Sequence, residues 1–294
     1  MNRLKKPMTW LGLMMLVPVL ASAGTNIDES RSMSADGQIS IENLAGSVEI
    51  RVWDRSEVEI TGDLGDDVEE FEVTESSNGI RIRVHNKQNS RNIEETELVL
   101  RVPVNAGVEI ETVSADVDIE GSAGKIIQVK TVSGDIVIEA SPDRIDLHSV
   151  SGDVEYSGDV SRSTIETVSG EVTLQGLSGE ITVGTVSGDV SLIAGQFEQA
   201  RFEVVSGDLN LELAVSDGGR LTSDSMSGDL VLRLPADQQA RFAAQTFSGS
   251  IRSDFGKAAR VSRGPGSILE YDEGSNGASI RLESFSGDIH IRRE

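Results

Sequence analysis

The chain has 294 residues, 49 Asp and Glu against 26 Lys and Arg, a formal net charge of −23, and no cysteine. A field of that sign repels nucleic acid and anionic lipid surfaces and sets both aside as partners. Without disulfides, stability rests on packing alone, and aromatic residues at 4% count against a sugar-stacking cleft.

Met1 to Ala23 reads as an export signal. Arg3, Lys5 and Lys6 form a basic start, Trp10 to Leu20 an apolar run of 11 residues, and Ala21-Ser22-Ala23 a small-residue site that predicts cleavage between Ala23 and Gly24. A membrane span needs about 20 apolar residues, so no membrane insertion is expected once the signal is removed. The expected location is the periplasm or the exterior. Cleavage leaves 271 residues with 23 basic and 49 acidic side chains, a net charge of −26 (23 − 49).

Residues 24–38 are polar and lack apolar periodicity, which predicts a flexible leader. From Ile39 the chain alternates apolar and polar side chains: Ile39 and Ile41, then Val48, Ile50 and Val52, then Val58 and Ile60. That period belongs to half-buried strands. Phe71 and Val73, then Ile80, Ile82 and Val84 after the Asn78-Gly79 turn, then Leu98, Leu100 and Val102 continue it. Residues 39–106 therefore read as an N-terminal β-strand cap, with Trp53 and Phe71 in its core, covering one end of the repeats that begin at residue 107.

From 107 to 294 one motif recurs, clearest as Thr185-Val186-Ser187-Gly188-Asp189-Val190. Its Ser falls at 114, 133, 151, 169, 187, 206, 227, 248 and 286, in steps of 18 to 21 and a final step of 38. A fixed period near 20 residues signals stacked supersecondary units. Within one unit Ile136 and Ile138 share a parity, and Ile145 and Leu147 share another across the turn at Ala140 to Asp143. Two short strands per unit, each with one apolar face, close a flat coil around a dry interior, and stacked coils pair at about 4.8 Å per step. The fold class is all-β: a parallel β-solenoid or β-helix-like array of coils of about 18–21 residues. Steps of six from Ile136 land on Pro142 and His148, which rules out a hexapeptide helix.

Parity changes inside the motif, because Val129 and Thr131 are in phase while Val132 is in phase with Ile136. A bend must absorb the extra residue, with glycine the natural place for it. The turn positions are Gly134, Gly152, Gly170, Gly188, Gly207, Gly228, Gly249 and Gly287, and two or three faces per coil both remain open. Ser267 to Tyr271 and Ala278 to Glu283 read as a closing hairpin before the last turn.

The Thr-Val-Ser-Gly-Asp-Val repeats, with Ala278-Ser279-Ile280-Arg281-Leu282 running into Ser286-Gly287-Asp288-Ile289, resemble the bacterial "putative adhesin" β-strand-repeat family. The resemblance covers roughly Ile39 to Ile291. It implies a β-solenoid-like module in an exported protein and brings no catalytic or ligand residues. Ala115 in place of Gly, and Ser250 in place of the acid, depart from the pattern.

The motif acids form the one column with conceivable ion chemistry. Asp135, Asp153, Asp189, Asp208 and Asp229 are weak calcium candidates, since calcium-binding β-rolls also use repeated aspartates. One acid per turn supplies few oxygens, Glu171 interrupts the column, and a turn carboxylate accepting backbone N–H bonds is the plainer use. A β-helix polysaccharide lyase or hydrolase needs an acid/base set in a cleft, and short regular turns leave no loops to build one. His85, His148 and His290 stand apart in sequence. Thr112, Thr131, Thr167 and Thr185 are expected to point inward, and Phe247 and Phe285 to fill the array where it widens. The expected function is a non-enzymatic, adhesin-like binding or structural scaffold of the cell envelope, without cofactor, that holds a protein or cell-surface partner. Calcium binding and polysaccharide cleavage are the alternatives.

Overall fold

The computed structural model describes residues 26–87, 93–260, 264–274 and 277–294. The expected signal segment, with its Ala23–Gly24 cleavage site, lies outside them. The N-terminal section holds β1 (Asn26–Ser32), β2 (Gln38–Trp53), β3 (Glu57–Asp63), β4 (Val68–Ser76), β5 (Gly79–Asn86) and β6 (Thr96–Pro103). The array continues with β7 (Gly107–Glu120), β8 (Ile126–Ser133), β9 (Ile136–Glu139), β10 (Arg144–Ser151), β11 (Val154–Ser169) and β12 (Val172–Ser187). Then come β13 (Val190–Ser206), β14 (Leu209–Ser227) and β15 (Leu230–Leu234). The C-terminal section holds β16 (Ala240–Ser248), β17 (Ile251–Ser253), β18 (Ala259–Arg260), β19 (Ser267–Glu273), β20 (Ala278–Ser286) and β21 (Ile289–Arg293).

The coils have two faces. β8 runs along the first with Ile127, Val129 and Thr131 buried, and β9 runs along the second with Ile136 and Ile138 buried. The motif is the corner between them, and the turn after β9 returns the chain to the first face in β10. Parallel register then stacks like on like. Val129 sits over Leu147, Ile138 over Tyr156 and Tyr156 over Leu174. Each buried aliphatic side chain contributes about 1.5–3 kcal/mol. Large and small residues alternate where the stack demands it: Phe202 is flanked by Ala200 in its own strand and by Ser223 in the next coil. The Tyr156 hydroxyl, wholly buried, donates to the Ala140 carbonyl at 2.7 Å, and burial pushes its pKa upward.

The N-terminal cap grows out of the same stack. β2 pairs with β7 from Gln38 to Arg51, Gly46 lying opposite Ala115, so it is a coil that lacks the motif. β5 and β6 form the next layer on β2, and β4 and β3 close it with antiparallel pairing. Two expectations change here. Asn26–Ser32, within the segment expected to be a flexible leader, is strand β1, paired residue for residue with β3. Backbone pairing needs no apolar period, and Ile27 and Met33 anchor the segment from inside. Phe71 is buried in the cap, but Trp53 is only partly covered; its indole N–H donates to the Glu57 carbonyl and Arg55 lies over its ring.

The C-terminal section departs from the expected closing hairpin. β19 and β20 do not pair with each other, because β16 lies between them, antiparallel to β19 and parallel to β20. β20 also pairs with β14, and β21 with both β15 and β17. The coil β20–β21 is thus inserted between β14–β15 and β16–β17. This out-of-order layer is the structural content of the 38-residue step.

Candidate functional site

The corner motif stacks into four parallel columns, and each column has its own chemistry. The inward column is Thr112, Thr131, Ser149, Thr167 and Thr185, all at most 7% exposed. Where bonded, these hydroxyls hold the bend: Thr131 donates to the Ser133 carbonyl at 3.0 Å and Thr167 to that of Ser169 at 3.1 Å.

The glycine column is set by close approach between layers. A Cβ on Gly152 would lie 2.2 Å from the Gly134 carbonyl oxygen, and one on Gly228 would lie 2.0 Å from that of Gly207. Gly134, Gly152, Gly170, Gly207, Gly228 and Gly287 also have positive φ. Gly188 and Gly249 do not, so positive φ is not what demands glycine there; their Cβ atoms would each meet a neighbouring glycine carbonyl at 2.1 Å.

The acid column is a ladder of carboxylate-to-backbone bonds. Asp116 Oδ1 accepts the Asp135 N–H at 3.0 Å, Asp135 that of Asp153 at 2.9 Å, and Asp153 that of Glu171 at 2.8 Å. It resumes as Asp189 accepting from Asp208, Asp208 from Asp229, Asp229 from Asp288, and Asp288 from Ser250, each at 2.8 Å. Glu171, one methylene longer, makes no such bond to Asp189. Ser250 stands at the last layer on this side, where an acceptor has nothing further to receive. The bond to Ser250 holds the Asp288 carboxyl below its ordinary range. The calcium candidates Asp135, Asp153, Asp189, Asp208 and Asp229 are therefore engaged with backbone, and no cluster of three or more potential metal ligands occurs among the described residues.

The fourth column points outward and is apolar. In stacking order it is Val113, Val132, Val150, Val168, Val186, Val205, Met226, Phe285 and Phe247, each 45–59% exposed. On the convex side of a corner two successive residues face solvent, so strand alternation fails there and Val132 does not join Ile136 inside. Phe247 and Phe285, expected as interior fillers, lie on this surface and stack on each other. Val186, Val205, Met226, Phe285 and Phe247 line one side of a groove of about 770 Å³. One wall carries Glu203, Asp224 and Glu283 in three successive layers. Glu203 and Glu283 pair with Arg201 and Arg281 of their own strands, while Asp224 has no ion pair among the described residues. Burial first, then Glu283 and Glu203, raise the Asp224 pKa against the opposing pull of Arg201 and Arg281.

The histidines do not converge. His85 faces Glu72, His148 faces Glu166, and His290 meets Arg252, each at the surface. The outward column was missed in sequence because the same Val that fills it reads as an inward residue of the next strand. Its signal was the enlargement from Val to Met and Phe at one fixed motif position.

A family model described as Toastrack DUF4097 matches residues 37–218, which spans β2 to the middle of β14. Met226, Phe247 and Phe285 lie beyond the match. No curated protein matches the chain. Among solved structures, a "putative adhesin" of Parabacteroides distasonis is similar at 11% identity and TM-score 0.42, covering 91% of this chain and 97% of its own. A "putative lipid binding protein" of the same organism shows 14% identity and TM-score 0.42 over 90% and 96%. A "putative adhesin" of Bacteroides fragilis shows 14% identity and TM-score 0.35 over 91% and 97%.

Proposed function

The chain belongs to the Toastrack DUF4097 family, and we propose that it is an exported, non-enzymatic scaffold that binds a protein partner along its outward corner column. The observation that carries this reading is the unbroken apolar column from Val113 to Phe247 on an otherwise strongly acidic chain. Exposed apolar side chains are ordinary when scattered, but a contiguous row rimmed by polar residues marks an interaction surface. The regular corners support a recognition role rather than turnover: their carboxylates are tied to backbone, and binding spreads over many shallow contacts.

Photo-crosslinking in the native envelope tests the proposal. A crosslinking side chain placed at Val186 or Met226 should capture a discrete protein, and the same probe at Glu155 on the second face should not. Equal capture from both positions overturns the proposed site. Turnover of a glycan, lost on a single Asp→Asn change, overturns the non-enzymatic reading.

A further inference from the structure

The groove at the C-terminal end of the column is chemically distinct from the rest. The first six layers of the column present only valine, at Val113, Val132, Val150, Val168, Val186 and Val205, whereas the last three present Met226, Phe285 and Phe247. Aromatic and methionine side chains offer more contact area than valine, and methionine adapts its shape to what it meets. Energetic anchors of interfaces are enriched in such residues.

The charges across from this apolar row have one dominant sign. Glu203, Asp224 and Glu283 stand at successive layers along one wall, about 4.8 Å apart, and Arg201 and Arg281 pair with the first and last of them. Beyond the opposite edge runs the ladder Asp189, Asp208, Asp229 and Asp288, whose carboxylates stay at the surface while bonding backbone. An anionic or phosphate-bearing ligand would be repelled from both sides, and a neutral apolar chain would leave Asp224 without an ion-pair partner among the described residues.

We infer that the groove receives an extended cationic segment of a partner protein, with apolar side chains seated on Met226, Phe285 and Phe247 and Lys or Arg side chains reaching Glu203, Asp224 and Glu283. This rests on the proposed binding role of the column and names the partner's chemistry. A segment crossing the last five layers needs only about six residues, at about 3.3 Å each. Apolar contact supplies affinity and the acid wall supplies steering and sign selection.

Fluorescence anisotropy on the intact protein, with labelled peptides of about ten residues, tests it directly. The probes are a peptide alternating Lys with Leu, its Glu-for-Lys counterpart and its Ser-for-Leu counterpart. The Lys–Leu peptide should bind saturably and weaken with salt, and both counterparts should bind at least about tenfold more weakly. Phe285→Ser and Met226→Ser should each weaken the Lys–Leu peptide about tenfold, and Asp224→Asn should weaken it measurably. Gln175→Ala, exposed on the second face and away from the column, should leave it unchanged. Equal binding of the Glu–Leu peptide, or indifference to Phe285→Ser, overturns the inference. So does binding of phosphatidylglycerol or phosphatidylcholine vesicles that the Lys–Leu peptide fails to displace, which would make the groove a lipid site. Capture of an acidic protein from Val186 or Met226 overturns the charge assignment while sparing the scaffold reading; no capture anywhere along the column overturns both.

Discussion

Phe247 lies flat against Phe285, ring centroids 5.0 Å apart and planes 7° from parallel, although 38 residues separate them in sequence (285 − 247). The stack exists because β20 lies beside β16, so it reports the insertion of the β20–β21 coil directly. Both rings are more than half exposed, and their single Ser variants should each cost less than about 1 kcal/mol. A double-mutant cycle on urea melts should nevertheless give a coupling of about 0.5 kcal/mol, the lower range for an aromatic pair. A coupling of zero would mean that the two layers are not neighbours.

Gly188 and Gly184 provide a matched pair of substitutions. A Cβ on Gly188 would sit 2.1 Å from the Gly170 carbonyl, whereas one on Gly184 meets nothing within 4 Å. Gly188→Ala should cost about 2 kcal/mol or more, because the layers must part to admit it. Gly184→Ala should be neutral or stabilising by about 0.5 kcal/mol, through the unfolded chain. Chemical melts of the two variants decide the point, and equal costs would refute the close-approach account of the glycine column.

The aspartate ladder has a pH signature. Asp288 has a carboxyl pKa lowered chiefly by the backbone N–H of Ser250. A group depressed on folding contributes stability that is present above its unfolded value of 3.8 and is lost as pH falls through the folded value. Thermal melts taken from pH 5 downward should show a shallower loss below pH 3.8 for Asp288→Asn than for the parent protein. At neutral pH, Asp153→Ala should cost about 1 kcal/mol, as the loss of a helix-capping oxygen does, and Asp153→Asn much less, since an amide oxygen still accepts. Calcium should leave the melting temperature unchanged; a rise with calcium that Asp153→Asn and Asp189→Asn abolish would restore the ion-binding alternative.

Asp224 is held against stability. Its pKa is raised by burial, with Glu283 and Glu203 adding repulsion. A carboxylate that holds its proton more tightly when folded makes the protein less stable as pH rises from the unfolded value through the folded one. Asp224→Asn should therefore raise neutral-pH stability by less than about 1 kcal/mol, solvent screening keeping the gain small. The same substitution should weaken binding of a cationic peptide. A loss of stability in the urea melt would show that Asp224 serves the fold instead.

The repeat made the array, its parallel stacking and its approximate coil length legible, because a fixed motif spacing survives whatever the side chains do. Phase was harder to read. Val132 follows the buried Thr131 and precedes the exposed Ser133, a sequence of directions that a strand cannot produce but a corner can. That single geometric fact hid the outward column and turned Phe247 and Phe285 into expected core. Strand β1 escaped because its seven backbone pairs with β3 leave no apolar rhythm. The position of the β20–β21 coil was invisible for another reason: the long step in the Ser series shows that a layer is unusual, and only pairing partners say where it goes.

That displaced coil also governs the order in which the molecule can be assembled. As the chain emerges from a ribosome or a translocation pore, the layers from β7 to β15 can zip onto their predecessors in the order they are made. β16–β17 arrives next, yet the coil it must lie against, β20–β21, has not yet been made. Until Ala278–Arg293 arrives, two unsatisfied strand edges face each other across a vacant layer, the arrangement most open to mispairing with one another or with a second molecule. Assembly closes with a keystone step rather than by sequential growth, and the hazard in making this protein is concentrated at that moment.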